Sequence, residues 1–175
     1  MIIAIYTILL IVYILLAIYL LYTFYGMIVA APFVPTSKKN VKIMIDMVKP
    51  QANETLFDLG SGDGRILHLA AKSGCKCIGI EINPILYHWS RLTTKLKRLK
   101  NVEIRRKNLW KTDLSSVNIL TLFFIAGKMD KLHKKILSEM KPGSRIVSHG
   151  FKFPNWQYSE KSGKIYLYQV PHSES

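Results

Sequence analysis

No Asp, Glu, Lys, Arg or His occurs between Met1 and Ser37. All 25 basic and 11 acidic residues fall in the remaining 138, about 26% of them, which is ordinary for a water-facing domain. An uncharged leader therefore joins a basic domain that carries the formal net charge of +14. Cysteine is scarce. Cys75 and Cys77 stand too close for an unstrained disulfide, and no second Cys or His pair completes a zinc site. Both read as reduced thiols, as in an interior compartment. Internal repeats and low-complexity linkers are absent, and 49% hydrophobic residues exclude a disordered chain. The length of 175 residues allows one core-bearing domain and not two.

The leader, Ile2 to Leu21, is apolar on every face and broken only by Tyr and Thr. Twenty helical residues span roughly 30 Å, the hydrocarbon thickness of a bilayer. Tyr19, Tyr22 and Tyr25 follow at interfacial spacing. A secretory signal cleaved after Val29-Ala30-Ala31 is the competing reading. It is disfavoured because no basic residue precedes the apolar run and the run is too long. Residues 1–31 are thus expected to be a retained transmembrane anchor and 32–175 the domain. Lys38, Lys39, Lys42 and Lys49 put the positive flank on the domain side. That orients the domain to the cytoplasm, or to the matrix if the membrane is mitochondrial. About ten residues then separate the anchor from the first domain helix.

In the domain, a capped helix is expected over Ser37–Val48, with Thr36 or Ser37 as its cap. Strands are expected at Thr55–Leu59, Lys76–Glu81, Val102–Arg106, Ile119–Ile125 and Arg145–His149. Helices alternate with them at Arg65–Ser73, Pro84–Lys100 and Lys128–Met140. This alternation predicts an α/β fold with a mostly parallel sheet. Ile165–Val170 after a Ser162-Gly163 turn predicts a C-terminal antiparallel hairpin.

The informative loop is Asp58-Leu59-Gly60-Ser61-Gly62-Asp63-Gly64-Arg65, placed between a strand and a helix. Such a turn lets a ligand approach the backbone closely. The nicotinamide fingerprint fails because Arg65 stands where its third glycine belongs, and no Gly-Lys-Ser/Thr follows for a phosphate loop. Asp58 and Asp63 would repel a pyrophosphate. They would attract S-adenosyl-L-methionine, which carries a sulfonium and an ammonium and no phosphate. Glu81 ends the next strand, where a carboxylate can accept both ribose hydroxyls. Asp58, Gly60, Ser61, Gly62, Asp63, Gly64 and Glu81 are therefore the expected cofactor-binding residues.

Loop and Glu81 together resemble motifs I and II of class I adenosylmethionine-dependent methyltransferases, which implies a Rossmann-like seven-stranded sheet. A longer resemblance runs from about Pro32 to Tyr158. It rests on Pro32-Phe33-Val34-Pro35-Thr36, the Asp58–Ile66 loop, Gly79-Ile80-Glu81-Ile82-Asn83-Pro84, Asn108-Leu109-Trp110-Lys111 and Phe153-Pro154-Asn155-Trp156. This set, behind an apolar helix, resembles the lysine N-methyltransferases of the ATP synthase c subunit and the adenine nucleotide translocase. The resemblance adds Thr36 and Asn108 to the cofactor contacts. Asn108 departs from the acidic residue usual there, yet its carbonyl can still accept from the adenine amino group.

Methyl transfer to lysine is an in-line displacement that calls for no metal, but the amine must be neutral although its ordinary pKa is near 10.4. An apolar aromatic pocket lowers that value. Phe151, Phe153, Trp156 and Tyr158 are candidates for it, against the alternative that Phe153 and Trp156 merely pack the hairpin. His149 is a candidate proton acceptor or a structural strand-end residue, and no general base is assigned. The expected partners are the lipid bilayer and a lysine of an integral membrane protein. Methylation of a lipid, small molecule or RNA, and a non-catalytic adenosylmethionine-binding scaffold, are the alternatives. The basic runs Lys95–Lys100 and Arg105–Lys107 favour an anionic membrane surface over nucleic acid, since no RNA-binding module accompanies them.

Overall fold

The computed structural model describes residues 2–29 and 34–172. The chain divides into two units, Met1–Pro32 and Phe33–Ser175. The first is helix α1, Ile2–Val29. Within it Ile2–Leu21 is long and apolar enough to cross a bilayer, and none of that segment is buried. The proposed cleavage site at Ala30-Ala31 lies outside the described residues.

In the second unit the elements run α2 (Lys38–Val48), β1 (Thr55–Leu59), α3 (Arg65–Ala70), β2 (Lys76–Glu81), α4 (Pro84–Leu96) and β3 (Val102–Arg106). They continue with β4 (Ile119–Phe123), α5 (Met129–Glu139), β5 (Arg145–His149), β6 (Glu160–Ser162) and β7 (Ile165–Gln169). The sheet order is β3-β2-β1-β4-β5-β7-β6. The first five strands pair in parallel, while β7 runs antiparallel to β5 and to β6. This is a seven-stranded mixed sheet of Rossmann-like type. Its order reverses between β1 and β4, and in such sheets ligands bind beyond the carboxyl ends of the strands at that point.

Alternation along the central strands divides the core in two. Phe57, Leu59, Ile78, Ile80, Leu120 and Leu122 face α5, where Leu132 and Ile136 complete one cluster. Leu56, Cys77, Ile119 and Val147 face the other way and join Val41 and Met44 of α2 and Leu67 of α3. Among the described residues both clusters lie wholly between Val41 and Val170, within the second unit. Cys75 and Cys77 are buried free thiols at the start of β2.

Ser37, one of the two expected caps, caps α2, its hydroxyl accepting from the Asn40 N–H at 3.2 Å. Several other boundaries differ from the sequence-based expectation. α3 tightens into a 3-10 turn at Ala71–Ser73 before Gly74, at φ 84°, ends it. α4 stops at Leu96 instead of Lys100, because Arg98 turns to φ 54° and Leu99 swings back toward the core. β4 ends at Phe123, opposite the last residue of β5, and a 3-10 turn at Ala126–Lys128 precedes α5.

Candidate active site

Along the carboxyl edge of the sheet stand, in spatial order, Glu81 of β2, the loop after β1, Phe123 of β4 and His149 of β5. The loop is held from beneath by the backbone, since the N–H groups of Gly60 and Ser61 both donate to the Ile80 carbonyl, at 2.9 and 3.1 Å. Gly60, at φ 77°, has open space where a side chain would begin. That conformation favours glycine, and the bare backbone leaves a cradle over the strand ends.

Glu81 clamps this cradle. One carboxylate oxygen accepts from the Gly62 N–H at 2.9 Å and the other from the Asn83 N–H at 2.7 Å. Burial pushes its pKa up, against the pull of the Asn83, Gly62 and Ile82 N–H groups. Asp58 is more extreme. It is fully buried and its carboxyl rises to about 7, chiefly through desolvation, with Glu81 and Asp63 adding to the rise and the Thr121 hydroxyl opposing it. At neutral pH Asp58 is poised to ionise when a cation arrives.

Asp63 is engaged differently. Its carboxylate receives Nε and Nη2 of Arg65 in a fork, at 2.9 and 2.6 Å. Partial burial works to raise its pKa, and the bonds and charge of Arg65 outweigh this and hold it low. Nη1 of Arg65 donates to the Thr36 carbonyl at 2.8 Å, so the Asp63–Arg65 pair ties the segment before α2 to the glycine loop. The uncompensated acidity therefore rests with Asp58 and Glu81.

Thr36 is buried, and its hydroxyl lies 3.3 Å from Nδ1 of His149, while the Asn40 amide nitrogen lies 3.1 Å from Nε2. An amide nitrogen only donates, so Nε2 accepts and Nδ1 carries the proton toward Thr36. Burial, and next the Lys164 charge, lower the pKa of His149. The ring is thus a neutral strut between α2 and β5, with Phe123 against it at 4.4 Å between centroids. Both its nitrogens are occupied, which argues against a free proton acceptor.

Asn108 caps the 3-10 turn Leu109–Lys111, its carbonyl accepting from the Trp110 N–H at 3.0 Å. One lone pair remains for another donor. Phe153 is buried in the core against Trp156 and Tyr168, and Trp156 stacks on His133 at 4.6 Å. Their first role here is packing. Phe151 is partly exposed on the turn after β5, and Tyr158 packs against Tyr166.

Sequence reasoning gave no site role to Gly79, Thr121, Arg65, Asn40 or Phe123. A side chain on Gly79 would begin 2.6 Å from Ser61 Oγ and from Leu67 Cδ1. Its signal was a glycine inside an otherwise isoleucine-rich strand. Ser61 Oγ is buried with no partner among the described residues, a polar atom beside the cradle that a ligand can satisfy. An open glycine cradle, two buried carboxylates of raised pKa and an unsatisfied hydroxyl fit a cationic, phosphate-free cofactor.

Residues 58–160 match the family model described as the ANTKMT methyltransferase domain. The chain belongs to this family. A protein-lysine N-methyltransferase from Saccharolobus islandicus is 33% identical over 79% of this chain and 93% of its own length. The lysine N-methyltransferase of the ATP synthase c subunit from Rattus norvegicus is 31% identical over 78% of this chain, which spans 63% of that longer protein. A crystal structure described as an RNA methyltransferase from Salinibacter ruber, bound to S-adenosyl-L-homocysteine, superposes with a TM-score of 0.77 at 31% identity, covering 80% of this chain and 95% of that one. The family makes the chain a protein-lysine N-methyltransferase in class, with S-adenosyl-L-methionine as its methyl donor.

Proposed function

We propose that this methyltransferase is anchored in a membrane by residues 1–31 and methylates a lysine side chain of an integral membrane protein. The observation that carries this is one chain joining an apolar helix of bilayer length to a catalytic domain with its own core. The apolar span ends at Leu21; the helical residues on to Val29 rise about 12 Å and the eight that follow reach at most about 29 Å before α2, a tether of about 40 Å at full stretch. A linker so short keeps the active site near the headgroups and raises its effective concentration toward membrane-borne lysines. The domain then faces the cytoplasm or the mitochondrial matrix. The name of the rat relative points to the same substrate class.

In this reading Asp58, Gly60, Ser61, Gly62, Asp63, Gly64 and Glu81 hold the cofactor, with Thr36 and Asn108 at its flanks. S-adenosyl-L-methionine supplies an activated methyl group on a sulfonium. Asp58 supplies a carboxylate that the cofactor's positive charge stabilises. Phe123, His149 and Phe151, on the β4–β5 side, supply apolar surface where a lysine loses water and with it its proton. Arg65 and Thr36 fix the segment that closes this end. Nothing in the chain has to move a proton at the instant of transfer if the amine arrives neutral.

The Salinibacter ruber structure gives RNA a specific claim as a second substrate. One experiment separates the readings. Membranes and RNA from cells lacking the enzyme are incubated with the full chain and labelled S-adenosyl-L-methionine, with Gly62→Arg as the inactive control. Label in a lysine of a membrane-protein peptide supports the proposal. Label confined to RNA or lipid overturns it.

A further inference from the structure

Helix α4 carries large apolar side chains on its outer face. Its buried residues are Ser90 and Thr94, while Ile85, Trp89, Leu92 and Leu96 are 56, 55, 50 and 72% exposed. Spacings of four, three and four residues align these four side chains along one stripe. The inner face holds Tyr87 against the second core cluster, and beside it the residues are small for a local reason. Thr94 Oγ1 meets His68 Nε2 at 2.9 Å, and Ser90 Cβ stands 3.4 Å from where a side chain on Gly64 would begin, so helix and loop approach closely there. Among the described residues no such packing accounts for the outer face, where an aligned set of large apolar side chains is exposed.

The surroundings of the stripe are strongly basic. Arg91 and Lys95 flank it on the helix, Lys97, Arg98 and Lys100 follow its end, and Arg106 and Lys107 lie exposed at the end of the neighbouring edge strand β3. Between His88 and Lys107 the one acidic residue is Glu103, and Arg105 neutralises it at 2.7 Å.

We propose that α4 docks the domain on an anionic phospholipid bilayer, with Ile85, Trp89, Leu92 and Leu96 seated at the headgroup boundary and the basic rim on lipid phosphates. Charge complementarity selects this occupant. An apolar stripe bearing Trp, rimmed by Lys and Arg, is the composition of helices that lie in a membrane interface. A second copy of the chain would bring two basic rims together and repel. RNA would satisfy the charges and leave the aliphatic stripe wet. Asn83, which caps α4, is bonded through its N–H to Glu81, so docking brings the cofactor loop close to the headgroups. The inference needs neither the leader's span nor the identity of the substrate.

The test uses residues 32–175, which hold both buried clusters. Sedimentation is measured with phosphatidylcholine vesicles and with vesicles containing a third phosphatidylglycerol, and cofactor affinity is measured alongside by calorimetry. The domain is expected to bind the anionic vesicles at least tenfold more tightly than the neutral ones. The double variant Trp89→Glu, Leu92→Glu should lose roughly tenfold or more of that binding with cofactor affinity unchanged. Lys95→Glu with Lys100→Glu should abolish the preference for anionic lipid. Vesicle binding that survives the stripe variant overturns the proposal. So does the absence of vesicle binding alongside tight binding of a labelled RNA, or a stripe variant whose only effect is to dissociate a dimer. A failure to methylate lysine leaves these readouts untouched, so the two proposals fall separately.

Discussion

The Thr121 hydroxyl on β4 donates to Oδ1 of Asp58 on β1 at 2.8 Å, bridging the two strands between which the sheet reverses. That single bond is the main compensation for a carboxyl with no exposure to speak of, and it is too little to keep the group acidic. The folded domain therefore holds on Asp58 a proton that the unfolded chain releases.

The consequence for stability has a definite sign. Asp58 has a folded-state pKa of about 7 against an ordinary 3.8. Its penalty is absent below pH ~4 and grows as pH rises from there through 7, because the unfolded carboxyl ionises freely and the buried one does not. Asp58→Asn keeps an acceptor for Thr121 and removes the ionisation. Thermal unfolding of the cofactor-free domain should show the variant several degrees more stable at pH 8 and unchanged near pH 4. Calorimetry should show its affinity for S-adenosyl-L-methionine reduced by tenfold or more, and wild-type affinity falling as pH drops below 7. A variant that is no more stable at pH 8 would contradict this account.

Gly79 yields a prediction that depends on sterics alone. A methyl group there would overlap Ser61 Oγ and Leu67 Cδ1, and Ser61 belongs to the loop whose backbone rests on β2. Gly79→Ala should lower the melting temperature and weaken cofactor binding together, by roughly 1–3 kcal/mol for the overpacking. Adding Ser61→Ala shortens the clashing neighbour and should recover part of both. Recovery of stability without recovery of binding would show that the Ser61 hydroxyl itself touches the cofactor.

The glycine loop, its strand and its helix were legible because their signals are local, an apolar run broken by glycines within eight residues. What stayed hidden was non-local. His149 is held by Thr36 and Asn40 across 113 and 109 residues, and nothing in the sequence at 149 announces either partner. The pairing of Asp63 with Arg65 was equally illegible, because it depends on backbone shape. Helix α4 shows a periodicity of the right length facing the unexpected way. Apolar spacing at 85, 89, 92 and 96 ordinarily marks the inner face, and here Tyr87, Ser90 and Thr94 take that face instead.

Asn108 tests whether the departure from the family pattern carries a cost. Its carbonyl already caps the turn at Trp110, so a second hydrogen bond to an adenine amino group uses the remaining lone pair. Asn108→Asp keeps the cap and offers a stronger acceptor. It should tighten S-adenosyl-L-methionine binding by a few fold, with an unchanged melting temperature. Asn108→Ala should lose both the cap and the acceptor, at about 1 kcal/mol in stability and a comparable loss in affinity. If the aspartate variant binds no more tightly, adenine is held elsewhere.

The leader sets the last expectation. Among the described residues every buried core residue lies beyond residue 33, and Ile2–Leu21 buries nothing. Removing residues 1–31 should therefore leave a folded domain with the cofactor affinity of the full chain. The full chain should remain in the membrane fraction after a high-salt wash and leave it only with detergent. Salt screens the basic surface but does not extract an apolar helix that spans a bilayer. The truncated domain, retained by α4 and surface charge alone, should be released by the same wash, because a rim of exposed Lys and Arg is screened within about 10 Å at 0.1 M salt and within less at higher concentration. Release of the full chain by salt would mean that the leader does not span. Retention of the truncated domain would mean that the stripe on α4 inserts more deeply than an interfacial contact allows.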